Sequence, residues 1–334
     1  MTTAPLPRTS RAIGVQFVLT GLIWGSSFLF IAVALTGLSP AQVAWGRLVF
    51  GGVALAAIVA IRRVRLPRSP RVWGHLAVIA VTFCVAPYLL FAWAQQFVPS
   101  SLASIFNATT PIMTAVMAWA VFRVERLTAG QLAGIALGIA GVVLIIAPGA
   151  AGEVATSVVA QLALLGATAC YGFSLAYMRR FLSDTGLTGV AFAAGYIGIG
   201  AAIMIVLSPW VFLAPMRWDP WVIGSVVLLG VLGTGLAYTW NQNTLAAWGP
   251  TRTSTVTYIT PVVGVVLGIV VLGESLTWNE PVGAVVVILG ILLVQRRLAV
   301  KRGRRNDGTA DAAASAVPGG VVRPGTSPAG RAPE

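Results

Sequence analysis

The chain has 334 residues, of which 57% are hydrophobic and only 9% are charged. A soluble domain carries roughly 25% charge, so this supply of polar side chains cannot cover a soluble surface. The mean hydropathy of +0.87 agrees, and the composition predicts an all-α polytopic membrane protein. Transporters, channels, membrane-embedded enzymes and scaffolds stay open. The net charge of +13 does not point to nucleic acid, because the basic residues lie in short runs between apolar stretches. Both cysteines, Cys84 and Cys170, fall inside apolar runs without metal-ligand neighbours. No disulfide framework, metal site or cofactor is expected. The one histidine, His75, stands beside Arg71 at the start of a span and reads as interfacial.

Apolar runs of about twenty residues, roughly 30 Å of helix, predict ten spans. They cover 14–35, 41–61, 73–95, 99–122, 129–147, 158–178, 187–207, 220–241, 250–272 and 281–295. Ala32-Val33-Ala34 resembles a signal-peptide cleavage site, but the apolar stretch before it is too long for a leader, so it counts as a span. Beyond the last span, Arg296 to Arg305 form a basic cluster suited to anionic lipid head groups. Residues 306–334, rich in Ala, Gly, Pro and Ser, read as a disordered tail.

Nineteen of the 22 basic residues fall before the first span or after the second, fourth, sixth and tenth. Arg217 and Arg252 are assigned to the other side, and Arg47 lies within a span. The asymmetry predicts that both termini are cytoplasmic.

The two halves resemble each other. Glu125-Arg126-Leu127-Thr128 is followed by Gly134 and Gly141, and Glu274-Ser275-Leu276-Thr277 by Gly283 and Gly290, at a constant offset of 149. Ser104, Asn107 and Pro111 match Ser254, Thr257 and Pro261 at offset 150; Gly25 and Ser27 match Gly172 and Ser174 at offset 147. An ordered series with nearly constant offset indicates duplication. Five spans per half is an odd number, so the ten helices form two inverted five-helix repeats, 12–147 and 158–297. Inverted repeats recur in secondary transporters, with the substrate near the midplane between the halves.

The ordered set resembles the ten-helix EamA type of the drug/metabolite transporter superfamily. Trp24-Gly25-Ser26-Ser27, Arg47, the Pro99 to Pro111 segment, the two Glu-x-Leu-Thr blocks and the Gly249 to Pro261 segment carry the likeness. It covers about residues 12 to 297 and implies an inner-membrane carrier, commonly an exporter of amino acids or related metabolites. The substrate itself is left open.

Polar side chains are unevenly shared among the spans. The fourth opens with Ser100, Ser101, Ser104, Asn107, Thr109 and Thr110, and the ninth with Thr251, Arg252, Thr253, Ser254, Thr255, Thr257, Tyr258 and Thr260. Polar groups facing lipid are costly, so these faces are expected to line the interior. The tenth span is apolar from Pro281 to Val294 and reads as scaffold or lipid-facing, with Val287 expected to accept bulk. Ser104, Asn107 and Pro111 share one helical face, and a proline in mid-helix frees the carbonyl one turn earlier. Those carbonyls, of Asn107 and Thr257, are candidates for binding substrate donors, together with Ser254 and Pro261. The bland alternative is that the hydroxyls bond within their own helices. Trp24, Ser27, Tyr171 and Ser174 at mid-depth, with Tyr88 and Tyr238, extend the candidate set. Trp240, Trp248 and Trp278 near span ends read as an interfacial belt.

Arg47 lies about 10 Å inside its span at 1.5 Å per residue. No carboxylate lies within any span to pair with it. Carbonyls and water can satisfy it structurally, or it attracts an anionic group on a substrate. The missing acid also weighs against proton-coupled export of cationic drugs. The favoured reading is a secondary carrier, not an enzyme, moving a small zwitterionic or anionic metabolite outward by alternating access. A multidrug cation carrier and a non-transporting receptor or scaffold are the alternatives. Expected partners are a small-molecule substrate and the bilayer, with a homodimer allowed and nucleic acid excluded.

Overall fold

The computed structural model describes residues 10–146, 155–183 and 185–295. The anticipated basic cluster after residue 295 and the tail lie outside the described residues. Eight helices are long and apolar enough to cross a bilayer: α1 (Ser10–Leu35), α2 (Pro40–Ile61), α3 (Pro70–Ala94), α4 (Ser100–Ala120), α5 (Ala129–Ile146), α6 (Ala155–Phe181), α7 (Gly189–Val206) and α8 (Pro220–Gly249). Two shorter apolar helices, α9 (Val256–Leu272) and α10 (Asn279–Gln295), complete the ten. The largest departure from the sequence expectation is α8, which continues eight residues past the apolar run that defined it. Hydrogen bonding within the helix carries it through polar Asn241, Gln242 and Asn243 to the left-handed Gly249 (φ 77°).

Several helix starts follow capping chemistry. Ser39 and Gln42 cap each other's backbone ahead of Pro40, and the Asp219 carboxylate accepts the Trp221 N–H at 2.8 Å. The repeated Glu-x-Leu-Thr blocks explain two more starts. Thr128 N–H donates to Gln131 Oε1 at 3.0 Å before α5, and Thr277 N–H donates to Glu280 Oε2 at 2.8 Å before α10. The first turn of α10 therefore contains Asn279 and Glu280, outside the apolar stretch read from the sequence.

The repeated glycines form the seam between α5 and α10. A side chain on Gly134 would come within 2.7 Å of the Gly290 carbonyl oxygen, and one on Gly141 within 2.8 Å of the Gly283 carbonyl oxygen. The two backbones touch because neither helix has a Cβ there. Val287 belongs to this seam: it is fully buried and its backbone abuts Gly141. The expectation that Val287 tolerates bulk is therefore corrected. Val285 and Leu289, 56% and 48% exposed, are among the outward positions of α10. Gly25 and Gly172 play matching roles, bringing α1 onto the backbone of α9 near Thr260 and α6 onto α4 near Met113.

Two further irregularities shape the interior. α3 and α8 each contain a π-helical stretch, Ala80–Val85 and Leu229–Leu236, at corresponding repeat positions. α4 is interrupted at Ala108 and Thr109, whereas the helical path into α9 is interrupted at Ser254 and Thr255. In the repeat frame the second break comes one turn earlier, so the halves are not superposable there.

Trp248, just before Arg252, packs on Phe17 near the start of α1 at 5.6 Å between ring centroids. Arg252 therefore lies at the same end as the basic loops, correcting its assignment to the other side. This is the basic end of the molecule. Trp278 is 69% exposed at the opposite end, as an interfacial residue should be. His75 at the basic end pairs through Nδ1 with the Tyr177 hydroxyl at 2.7 Å and stacks on Phe181.

Candidate substrate cavity

A cavity of about 500 Å³ lies between the halves, within the usual range of about 300–1,000 Å³ for small-molecule sites. α2 supplies Arg47, which is 9% exposed and lines this cavity. Gly46 and Gly51 let α2 approach α8, so that Arg47 reaches the π-helical stretch of its neighbour. There Nε donates to Thr234 Oγ1 at 3.3 Å. The guanidinium lies 3.8 Å from the centre of the Tyr88 ring, a cation–π contact in a desolvated setting. The Tyr88 hydroxyl is 3.4 Å from that of Tyr238. These tyrosines are repeat counterparts 150 residues apart, so they meet where the two halves face each other.

Aromatic rings form the walls. Trp24 meets Tyr238 edge-on at 5.4 Å, and Phe83 meets Tyr171 at 5.1 Å and Tyr196 at 5.8 Å. Phe91 stacks on Tyr171 at 6.0 Å. The Trp24 indole donates to the Gly233 carbonyl at 3.1 Å, a backbone acceptor in the π-helical stretch of α8. Such a stretch shifts the carbonyl ladder by one residue, and π-bulges are frequent at functional sites. Toward the basic end the lining turns polar, with Asn107, Thr110, Asn241, Gln242 and Thr257.

Eight of the thirteen candidates line the cavity: Trp24, Ser27, Arg47, Asn107, Tyr171, Tyr238, Ser254 and Thr257. The other five are packed around it. Tyr88, 2% exposed, lies under the guanidinium. Ser104 is buried and donates to the Thr260 carbonyl at 3.3 Å, joining α4 to α9. Ser174 is buried with its hydroxyl 2.6 Å from that of Thr82. Pro111 opens the second segment of α4 and Pro261 is buried inside α9. The Asn107 carbonyl freed by Pro111 accepts the Thr110 hydroxyl at 2.8 Å, so the neighbouring side chain supplies its donor locally. Phe83, Tyr196, Asn241 and Gln242 were missed by sequence reasoning. Gly195-Tyr196 stands 149 residues after Gly46-Arg47, an offset that marks Tyr196 as the repeat counterpart of Arg47.

Among the described residues, none that lines the cavity is acidic. The described carboxylates stand at helix ends: Glu125 pairs with Arg179, Asp219 caps α8, Glu274 caps α4, and Glu280 accepts from Thr277. The cavity therefore presents one buried cation, aromatic faces and neutral hydrogen-bonding groups.

The model of the EamA-like transporter family matches residues 12–147 and again 158–296. The chain belongs to the EamA-like transporter family. EamA-like proteins are transporters rather than enzymes, so this cavity is a transporter's and its hydroxyls need no catalytic role. A Streptantibioticus cattleyicolor protein named "Probable terminal-alkyne amino-acid exporter" is 29% identical over 88% of this chain and 97% of its own length. The Bacillus subtilis protein named "Uncharacterized transporter YvbV" is 24% identical over 87% and 93%. The Escherichia coli "Uncharacterized inner membrane transporter YedA" is 22% identical over 82% and 87%. A solved crystal structure shares the fold with a TM-score of 0.60, at 20% identity over 85% of this chain and 98% of that one. This EamA-like chain is a multi-pass membrane transporter.

Proposed function

We propose that this transporter exports a small zwitterionic or anionic metabolite of the amino-acid class by alternating access. The observation that carries the reading is Arg47, a buried guanidinium at the wall of a cavity that no acid among the described residues lines. Among the described residues, its hydrogen bond to Thr234 uses Nε alone, leaving the paired Nη groups suited to a carboxylate. The rings of Trp24, Phe83, Tyr171 and Tyr238 fit an apolar side chain, and their faces favour an ammonium. The same positive charge disfavours a cationic drug. The name of the Streptantibioticus cattleyicolor relative supports the amino-acid class.

Counterflow in proteoliposomes tests this reading with apolar amino acids and their carboxamides. Losing a charge-assisted hydrogen bond costs about 1.5–3 kcal/mol, so the amides are expected to exchange roughly tenfold to a hundredfold more slowly. Equal rates for acid and amide, or preferred exchange of quaternary ammonium compounds, would overturn the assignment.

The basic end is proposed to face the cytoplasm of an inner or plasma membrane, with both termini there. Once Arg252 is reassigned, Arg217 is the only basic residue among the described residues left in a loop at the opposite end. A Gln96→Cys variant, in a background lacking Cys84 and Cys170, should react with an impermeant thiol reagent in intact cells. Ser69→Cys should react only after permeabilisation. Both positions are exposed, and the reverse pattern would invert the topology.

A further inference from the structure

The two repeat-related glutamates have different partners. At the end opposite the basic loops, Glu274 Oε1 accepts the Ser100 N–H at 2.7 Å and Oε2 accepts the Ser101 N–H at 2.9 Å. One carboxylate thus caps the first turn of α4 from the far end of α9, across the boundary between repeats. The first N–H groups of a helix have no partner within it and carry its positive dipole end, so an anion is favoured there.

The position of Glu274 is set by α9. Gly273 takes the left-handed conformation that ends the helix (φ 68°), and Glu274 N–H returns to the Gly268 carbonyl at 3.1 Å. A side chain on Gly268 would meet Glu274 Oε2 at 2.4 Å and Ser100 Oγ at 3.2 Å. Just below, Ser104 bonds Thr260. The Ser104 side chain would also collide with any Cβ on Gly264. This half of α4 is sealed against α9.

Glu125 is the counterpart of Glu274, and Thr251 is the counterpart of Ser101; Pro250, the counterpart of Ser100, has no N–H, so the first donors of that turn are at Thr251 and Arg252. Full symmetry would have Glu125 capping the backbone at the helical turn before α9. Instead Glu125 pairs with Arg179 of α6, and the second half of α4, Thr110–Ala120, packs chiefly on α6. Between these separated parts the cavity lining runs toward the basic end through Met178, Leu245 and Thr253.

We propose that Glu274 and Glu125 are alternating latches, each closing one end of the transporter by capping the helix start contributed by the other repeat. In the state described, the Glu274 latch is shut and the Glu125 latch is released onto Arg179. In the opposite state Glu274 leaves Ser100 and Ser101, and Glu125 takes the backbone N–H groups at Thr251 and Arg252. The inference rests on alternating access but not on the nature of the cargo.

The test is a pair of distances in the full chain, spin-labelled in nanodiscs without substrate, in the background lacking Cys84 and Cys170. Gln96→Cys with Trp278→Cys reports the end at Glu274, and Val121→Cys with Arg252→Cys reports the basic end. The parent should be short at the first pair and long at the second. Glu274→Gln keeps the size of the cap but removes its charge. It should raise the opposite population about tenfold, a shift of about 1.4 kcal/mol, lengthening the first distance and shortening the second together. Gly268→Ala displaces the same carboxylate without changing it, and should shift both distances in the same sense. Glu125→Gln weakens the latch that is already open and should not raise that population. Unchanged distances in folded Glu274→Gln and Gly268→Ala, or an equal shift in Glu125→Gln, would overturn the latch. A wrong cargo would alter only the counterflow result, so the two failures are distinguishable.

Discussion

Replacing Arg47 with glutamine is expected to lower carboxylate transport roughly tenfold or more and to erase the preference for acid over amide. The guanidinium has two features that glutamine lacks, a fixed charge and a pair of parallel N–H donors for a carboxylate. It also costs the protein something to hold, since a buried charge with a single neutral hydrogen-bond partner is poorly compensated. The glutamine variant should therefore melt no lower than the parent. Transport and stability should separate, which is the mark of a binding role. Arg47→Lys retains charge but not the guanidinium that lies over the Tyr88 ring, so it should recover acid-over-amide preference with weakened affinity. A variant that fails to fold, with the surviving fraction transporting normally, would make Arg47 structural. The decisive readout is the ratio of acid to amide exchange in folded protein, which a purely structural role leaves unchanged.

Bulk at Asn107, beside the break in α4, and at its counterpart Thr257, in the first turn of α9, should be equally damaging to transport. Asn107 and Thr257 are repeat counterparts, both partly exposed to the cavity, one from α4 and one from α9. A phenylalanine at either position adds an aromatic ring to a space of about 500 Å³ without adding charge. Asn107→Phe and Thr257→Phe are each expected to reduce flux to background in proteoliposomes while leaving a folded protein. Overpacking in a closed core costs about 1–3 kcal/mol, and the open side of the cavity should keep the cost near the lower figure. Leu289→Phe is the matched control, because that side chain projects outward from α10 and is 48% exposed. Near-normal flux in both stable cavity variants would place the route elsewhere and leave the ten-helix fold standing.

Much of the architecture was legible because the bilayer imposes a length and an apolar requirement that a chain cannot disguise. The spans appear as apolar runs, and the duplicated Glu-x-Leu-Thr and glycine blocks appear as constant offsets. The glycines repeat because α5 meets α10, and α1 and α6 meet α9 and α4, in matching close contacts between the halves. The cavity was legible in part. Hydroxyls on α4 and α9 marked its polar mouth, and Arg47 stood out as a charge without an acid. Sequence did not separate Ser104 from Asn107, which share a face one turn apart. α9 closes on Ser104 through Gly264, whereas the backbone breaks just past Asn107 and that side chain remains at the cavity. Nor did it separate Ser27, which lines the cavity, from its counterpart Ser174, which is consumed by Thr82.

What the chain determined by itself is therefore what each half has in common: span length, caps, close-contact glycines and the inverted order of helices. Tertiary structure decided where the halves differ: Arg47 opposite Tyr196 in the repeat, a break at Ala108 in one and at Ser254 in the other, and one glutamate capping a helix while its counterpart holds an arginine. The physical reason is that counterpart positions carry different side chains, and in a close-packed interior each settles against the neighbours its own half meets. Sealing α4 against α9 at one end separates them at the other, and the polar side chains left facing that gap become the cavity.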